Sequence, residues 1–350
     1  MAREDELNTF DADEELRATS AAHETARRFE PGELVACDKC LRANAPTRMN
    51  CIYCGAPLPV TERSAALRRP ALRKLEEWEQ GFNVVLHPPR TRPAPETFEE
   101  VASLLRLDAA RLSEIVEANT SLPVARAASG EEAELVVGRL KARGLEAEVF
   151  NDDLFARTPV RVRALAFDTD ALVLMMNAET EPARVAWEEI VLLVEGRVVT
   201  RRVEFEERPS KLSTRGKLMD AREVASDEAV LDIHISFEAS DGFRIMADGF
   251  DYTCLGESKR LLARDNFKTL IAELRGHATR AAFDGEYVRL RAQLSHVWPP
   301  AERNESGGLR RGGPGRLNTE SVTVVSNETQ FTRYARLRRL LALRERAKSL

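Results

Sequence analysis

Four cysteines stand as two pairs, Cys37 with Cys40 and Cys51 with Cys54, two residues inside each pair and ten between the pairs. Nothing else in the 350 residues restricts the fold as tightly. Cysteines at this spacing can turn both sulfurs toward one metal ion, and four thiolates close a tetrahedral site with no position left for water or substrate. Gly55 after Cys54 removes the Cβ that would crowd the second turn, whereas Leu41 follows Cys40 in the first. The spacer is too short to bury a core, so metal binding must supply the folding free energy of this stretch. The expected ligand set is Cys37, Cys40, Cys51 and Cys54 around a structural Zn2+, with two disulfides as the competing reading.

The stretch 36–58 resembles a short zinc ribbon, and residues 51–59 are similar to the second knuckle of many small bacterial ribbons. An iron centre like that of rubredoxin is a further alternative, since its knuckles also carry glycine after cysteine. A ribbon fixes no function, because the same scaffold reads nucleic acid, docks proteins or acts as a clip. The fifth cysteine, Cys254, lies in an apolar stretch with strand-forming neighbours and reads as a small core residue.

The fold class expected of the whole is multidomain α+β: the ribbon, a small α/β module, and a mainly antiparallel β-sandwich or barrel closed by a helix. Residues 1–35 are highly charged and read as a flexible arm, with a marginal helix from about Ala12 to Phe29. Leu67, Leu72, Leu75 and Trp78 suggest a tether helix over 64–81 ended by Gly81. From 82 to 150 the pattern runs strand, two helices, strand, helix, strand, with Ser129 and Glu132 placed as a capping box.

That order resembles the C-terminal domain of the bacterial ribosomal stalk protein. The resemblance rests on residues 82–86 as the opening strand, Ile115, Val116 and Glu117 ending a helix, and residues 129–133 with 140–144 bounding the last one. In that family a glycine- and lysine-rich helix start recruits translational GTPases; residues 105–112 here lack both residue types, so the resemblance implies the fold and not the partner.

From about Thr158 the pattern turns to strands at 160–167, 171–176, 184–190, 192–205, 231–237, 243–247 and 250–255, with Glu195 and Gly196 as turn chemistry and 206–226 as a charged loop. Alternation along 231–237 predicts Leu231, Ile233, Ile235 and Phe237 facing a core and Asp232, His234 and Ser236 facing out. An amphipathic helix over 265–276 follows. Strands closed by such a helix, together with Trp187 and Ile190, make 158–276, within a β-domain extending to 300, similar to a pleckstrin-homology domain. That superfold mostly binds proteins or lipid headgroups. No Lys and Arg cluster sits in a first-hairpin loop, so no phosphoinositide site is expected.

Residues 301–328, with the glycine-rich run near 306–315, read as a disordered linker. A basic amphipathic helix is expected over 329–350, with Phe331, Tyr334, Leu337 and Leu341 on one stripe. Between 301 and 350 stand eleven Arg or Lys against five Glu, a local +6 that leaves the first 300 residues at −11 of the net −5. The stripe is expected to dock either onto another protein or back onto the body.

No phosphate-binding glycine loop, dinucleotide fingerprint, zinc-protease or nucleophile-elbow motif occurs. The histidines, His23, His87, His234, His277 and His296, are scattered; Asp232 and His234 alone share a strand face, and read as an ordinary polar surface. No stretch approaches the ~20 apolar residues of a membrane span, and no apolar leader opens the chain, so a cytoplasmic protein is expected. The favoured reading is a non-enzymatic adaptor or regulator working through protein contacts. The alternatives are a nucleic-acid- or ribosome-associated protein using the ribbon and basic tail, and an enzyme with an unfamiliar site near Asp232 and His234.

Overall fold

The computed structural model describes residues 29–59, 61, 64, 67–68, 70–76, 78–177, 179–208, 217–236, 242–313 and 316–348. The arm and marginal helix expected before Phe29 lie outside the described residues. The chain divides after Arg69 into two compact units.

The first unit is small and knit by backbone turns. Strands β1 (Val35–Ala36) and β2 (Ala43–Asn44) pair antiparallel, Val35 opposite Asn44, and an isolated bridge joins Asn50 to Pro57. Its apolar cluster is Val35, Cys37, Cys51 and Leu58. The expected tether helix is a correction: Ser64 and Leu67 are helical, but 70–76 has no regular structure. Pro70 removes a helical N–H and disfavours helix in the residue before it, which stops the helix where the apolar spacing would have continued it.

The second unit mixes helices and sheets. Strands β3 (Phe82–Leu86), β4 (Leu122–Ala127) and β5 (Ala147–Asn151) form an antiparallel sheet in the order β4-β3-β5. Helices α1 (Pro95–Leu105), α2 (Ala109–Glu117) and α3 (Gly130–Lys141) pack on it, with Asp108 and Ser129 as N-caps. Ser129 accepts the Glu132 N–H as expected, but the Glu132 carboxylate does not complete a capping box and instead accepts N–H groups from Ala71, Leu72 and Ala128.

Next come β6 (Val160–Val162), β7 (Ala164–Phe167), β8 (Ala171–Met175), β9 (Ala183–Ala186), β10 (Ile190–Arg208), β11 (Lys217–Ile235) and β12 (Phe243–Met246). They are followed by α4 (Ala263–His277), β13 (Ala282–Asp284), α5 (Tyr287–Leu294), β14 (Ala301–Gly313), β15 (Arg316–Ser326) and α6 (Glu328–Lys348). The larger sheet runs β14-β15-β10-β11-β12-β6, with β13 parallel to the start of β10; β7, β8 and β9 form a separate antiparallel sheet.

Three expectations fail on this sheet. The 206–226 loop is the distal part of the long β10–β11 hairpin, paired from Ile190 opposite Ile235 out to Arg208 opposite Lys217. The disordered linker is largely the β14–β15 hairpin, in which polar and glycine residues are tolerated because the ladder satisfies the backbone and little side-chain surface needs burying. The strand expected at 250–255 is mostly a 3-10 turn over Tyr252–Ser258, and Cys254 sits half-buried beside the core instead of inside a strand.

The two faces of β10 and β11 bury separate cores. Leu193, Leu231 and Ile233 point toward α4 and pack with Phe267, Leu270, Ile271 and Leu274. Leu192, Val194, Val198 and Val230 point the other way and join a core built from β3, β4, β5, α1–α3, α5 and α6. Residues 82–150 thus share a core with the C-terminal helix and do not form a module with a core of its own.

The polar face of β11 that alternation assigns to solvent is buried as well. Asp232 and His234 are each 1% exposed, because α6 covers the face that alternation assigns to solvent. Phe331, Tyr334 and Leu337 on α6 are all 0% exposed, so the stripe docks within the chain and is not available to a partner; Leu341 packs half-buried against the same core. Gly196 is mid-strand, opposite Val230, and not a turn residue. A Cβ there would stand 2.7 Å from Phe331 Cδ2 and 3.0 Å from Tyr287 Cδ1, so glycine is what allows α6 to lie this close to β10.

Candidate metal centre

The four cysteines expected as ligands come together. Cys37 Sγ lies 3.6 Å from Cys54 Sγ and Cys40 Sγ 3.5 Å from Cys51 Sγ, and all four sulfurs fall within 4.8 Å of one another. A disulfide requires about 2.05 Å, so these are free thiols. Four sulfurs at about 2.3 Å from a tetrahedral zinc would be separated by about 3.8 Å, close to what the two pairs show. The residues present therefore fit a metal ion.

Each knuckle closes by a backbone bond from the residue after its second cysteine. Leu41 N donates to Cys37 O at 2.7 Å and Gly55 N to Cys51 O at 2.9 Å. Both donors have a left-handed backbone, Leu41 at φ 60° and Gly55 at φ 72°. Only the second knuckle has the residue that adopts it freely; the first places an ordinary side chain in that region and leaves it 81% exposed.

Cys37 and Cys51 are buried, while Cys40 and Cys54 lie nearer the surface. Around Cys51 the donors converge. Tyr53 N reaches its sulfur at 3.4 Å and the Asn44 side-chain amide at 3.5 Å. Burial pushes the Cys51 thiol up, but the Tyr53 and Cys54 N–H groups, the Asn44 amide and the Cys40 thiol outweigh it and bring it down to about 6, which favours the thiolate that a metal needs.

Two residues of this centre were not found from sequence. Asn44, 2% exposed, also accepts the Ile52 N–H at 3.0 Å and donates to Arg42 O at 2.8 Å, tying the first knuckle to the second. Arg68, fully buried, donates to the carbonyls of Pro46, Leu58 and Pro59. Neither position carries a spacing signal; each acts through backbone groups that a sequence does not display.

The other candidates read differently. Asp232 is paired bidentately with Arg244 at 2.7 and 2.8 Å, and Arg244 also reaches Thr332 and Glu328 on α6. Among the described residues His234 has no hydrogen-bond partner at either ring nitrogen, and burial, then the charges of Arg336, Arg339 and Arg244, hold it well below its ordinary pKa. This pair is interior structure under a helix and offers no access to substrate. Burial pushes the Cys254 thiol up to about 11, which disfavours its thiolate form. A hydrogen-bonded trio unseen in the sequence joins Ser121 to His87 Nδ1 at 2.8 Å and Glu148 to His87 Nε2 at 2.7 Å, with Arg344 on the other Glu148 oxygen.

Among the described residues, no helix is long and apolar enough to cross a membrane. Comparison with family models, curated proteins and solved structures found no match.

Proposed function

We propose that this chain is a non-enzymatic, zinc-binding adaptor of the cytoplasm, with Zn2+ held structurally by Cys37, Cys40, Cys51 and Cys54 and a protein partner bound at the knuckle tips. The observation that carries the reading is the closed four-sulfur arrangement: every ligand position is filled by the chain, which leaves no site for substrate activation. The same turns that bring the sulfurs together push Leu41, Ile52 and Tyr53 outward, 81%, 53% and 52% exposed, with the Arg42 guanidinium 4.7 Å over the Tyr53 ring. Apolar side chains held out by a metal-fixed scaffold suit a partner with its own apolar contact surface. The ribbon's cations are Lys39, Arg42 and Arg48, too few for strong phosphate binding.

The test has two steps. Metal analysis of the purified chain should return one zinc per chain, and Cys51→Ser should lose it. Cross-linking in the cells that make the protein should then recover a defined protein with wild type but not with Leu41→Glu plus Tyr53→Glu, a variant expected to retain zinc. Recovery of nucleic acid whose binding falls steeply with salt would replace this reading with the ribosome- or nucleic-acid-associated one.

A further inference from the structure

A cleft of about 640 Å3 opens within the second unit, between residues 72–76, the end of α1, the turn at 296–302 and the first turn of α6. It belongs to none of the groups above. Its floor is apolar: Leu105, Val297 and Trp298 are 2%, 8% and 1% exposed, and Leu75, Pro299 and Pro300 continue the wall. A cleft of this size matches those that hold small organic ligands, about 300–1,000 Å3.

The wall at 72–76 is a built element with no regular secondary structure. One oxygen of the Glu132 carboxylate, a residue only 5% exposed, accepts the Ala71 and Leu72 N–H groups at 2.6 and 2.8 Å. Leu72 is thereby held at φ 38°, a conformation that side-chain-bearing residues seldom adopt. At the far end Asp152 accepts the Gly81 N–H at 2.9 Å, and Arg126 links Asp152 to the Glu79 carbonyl. Two buried carboxylates thus fix a strained surface segment at both ends, and strain persists only where the surroundings over-determine it.

The lining of the cleft carries more cations than anions. Arg73, Lys74, Arg106, Arg126 and Arg333 line it against Glu76 and Glu302. Arg73 is neutralised by Glu79 and Arg126 by Asp152. Lys74 and Arg106 have no ion-pair or hydrogen-bond partner for their side chains among the described residues. Cations at the mouth of a low-dielectric cleft focus positive potential into it.

We infer that this cleft binds a small amphipathic anion, an organic acid whose apolar body lies over Leu105, Val297 and Trp298 and whose charged group meets Lys74 and Arg106. The inference is independent of the metal centre. Dodecanoate is the probe, titrated calorimetrically into the full-length protein at fixed ionic strength. Saturable binding at one site per chain is expected. It should weaken at least tenfold in Lys74→Glu plus Arg106→Glu, two exposed positions whose reversal leaves the unfolding transition in place, and stay unchanged in Lys259→Glu plus Lys268→Glu. Dodecanol, with the same body and no charge, should bind at least tenfold more weakly than dodecanoate. Absence of saturable binding, equal binding of the alcohol, or indifference to the cleft charge reversal would each overturn the assignment.

Discussion

The two units of this chain solve the same problem by opposite means. The first has an apolar cluster of four residues, two of them cysteines, beside four clustered thiols and backbone turns. The second buries both faces of a long hairpin against separate apolar cores. One should depend on a metal and hardly on any single methyl group; the other should respond to core side chains and be indifferent to chelation. The contrast locates the consequences of mutation more sharply than any overall stability would.

The largest expected effect breaks the first unit alone. Stripping the metal with a chelator, or replacing Cys51 by Ser, should abolish the fold of residues 35–58, since structural zinc contributes on the order of 10 kcal/mol or more. Hydrogen exchange should show protection lost there and kept in β3–β5. Loss of protection in both units at once would end the comparison. Phe331→Ala should do the reverse, costing the second unit about 3–5 kcal/mol in urea unfolding with metal content unchanged. Gly196→Ala probes the same contact from the strand side and should cost about 1–3 kcal/mol through overpacking against Phe331.

A pH effect follows from His234. Its folded-state pKa is depressed below the ordinary 6.5, so the unfolded chain binds the proton first and stability falls as pH drops below about 6.5. The loss should be confined to the second unit and absent from His234→Leu; identical pH profiles for the two proteins would refute it. The smallest effect sharpens the picture locally: Ser129→Ala removes the N-cap of α3 and should cost about 1 kcal/mol.

Much of this was legible in sequence, and the failures have physical causes. Local patterns gave the order of β3, α1, α2, β4, α3 and β5 between 82 and 150, because apolar spacing and caps act over a few residues. The cysteine spacing placed all four sulfurs. What could not be read was coverage. Strand alternation at Asp232 and His234 correctly separates two faces, yet it cannot say that a helix from about a hundred residues later lies over one of them. The glycines near 306–315 read as linker because nothing local reveals that β15 and β10 will complete a ladder. Gly196 read as a turn because the sequence does not show Phe331 above it.

The place of α6 in the chain has a consequence in time. The core that Val84 and Val124 enter early in synthesis is sealed by Phe331, Tyr334 and Leu337. At roughly 5–20 residues per second, the ribosome takes on the order of ten to fifty seconds to travel between them. Through that interval the apolar face of β10 that α6 covers has no lid. Only when α6 arrives can that face be covered from within the chain.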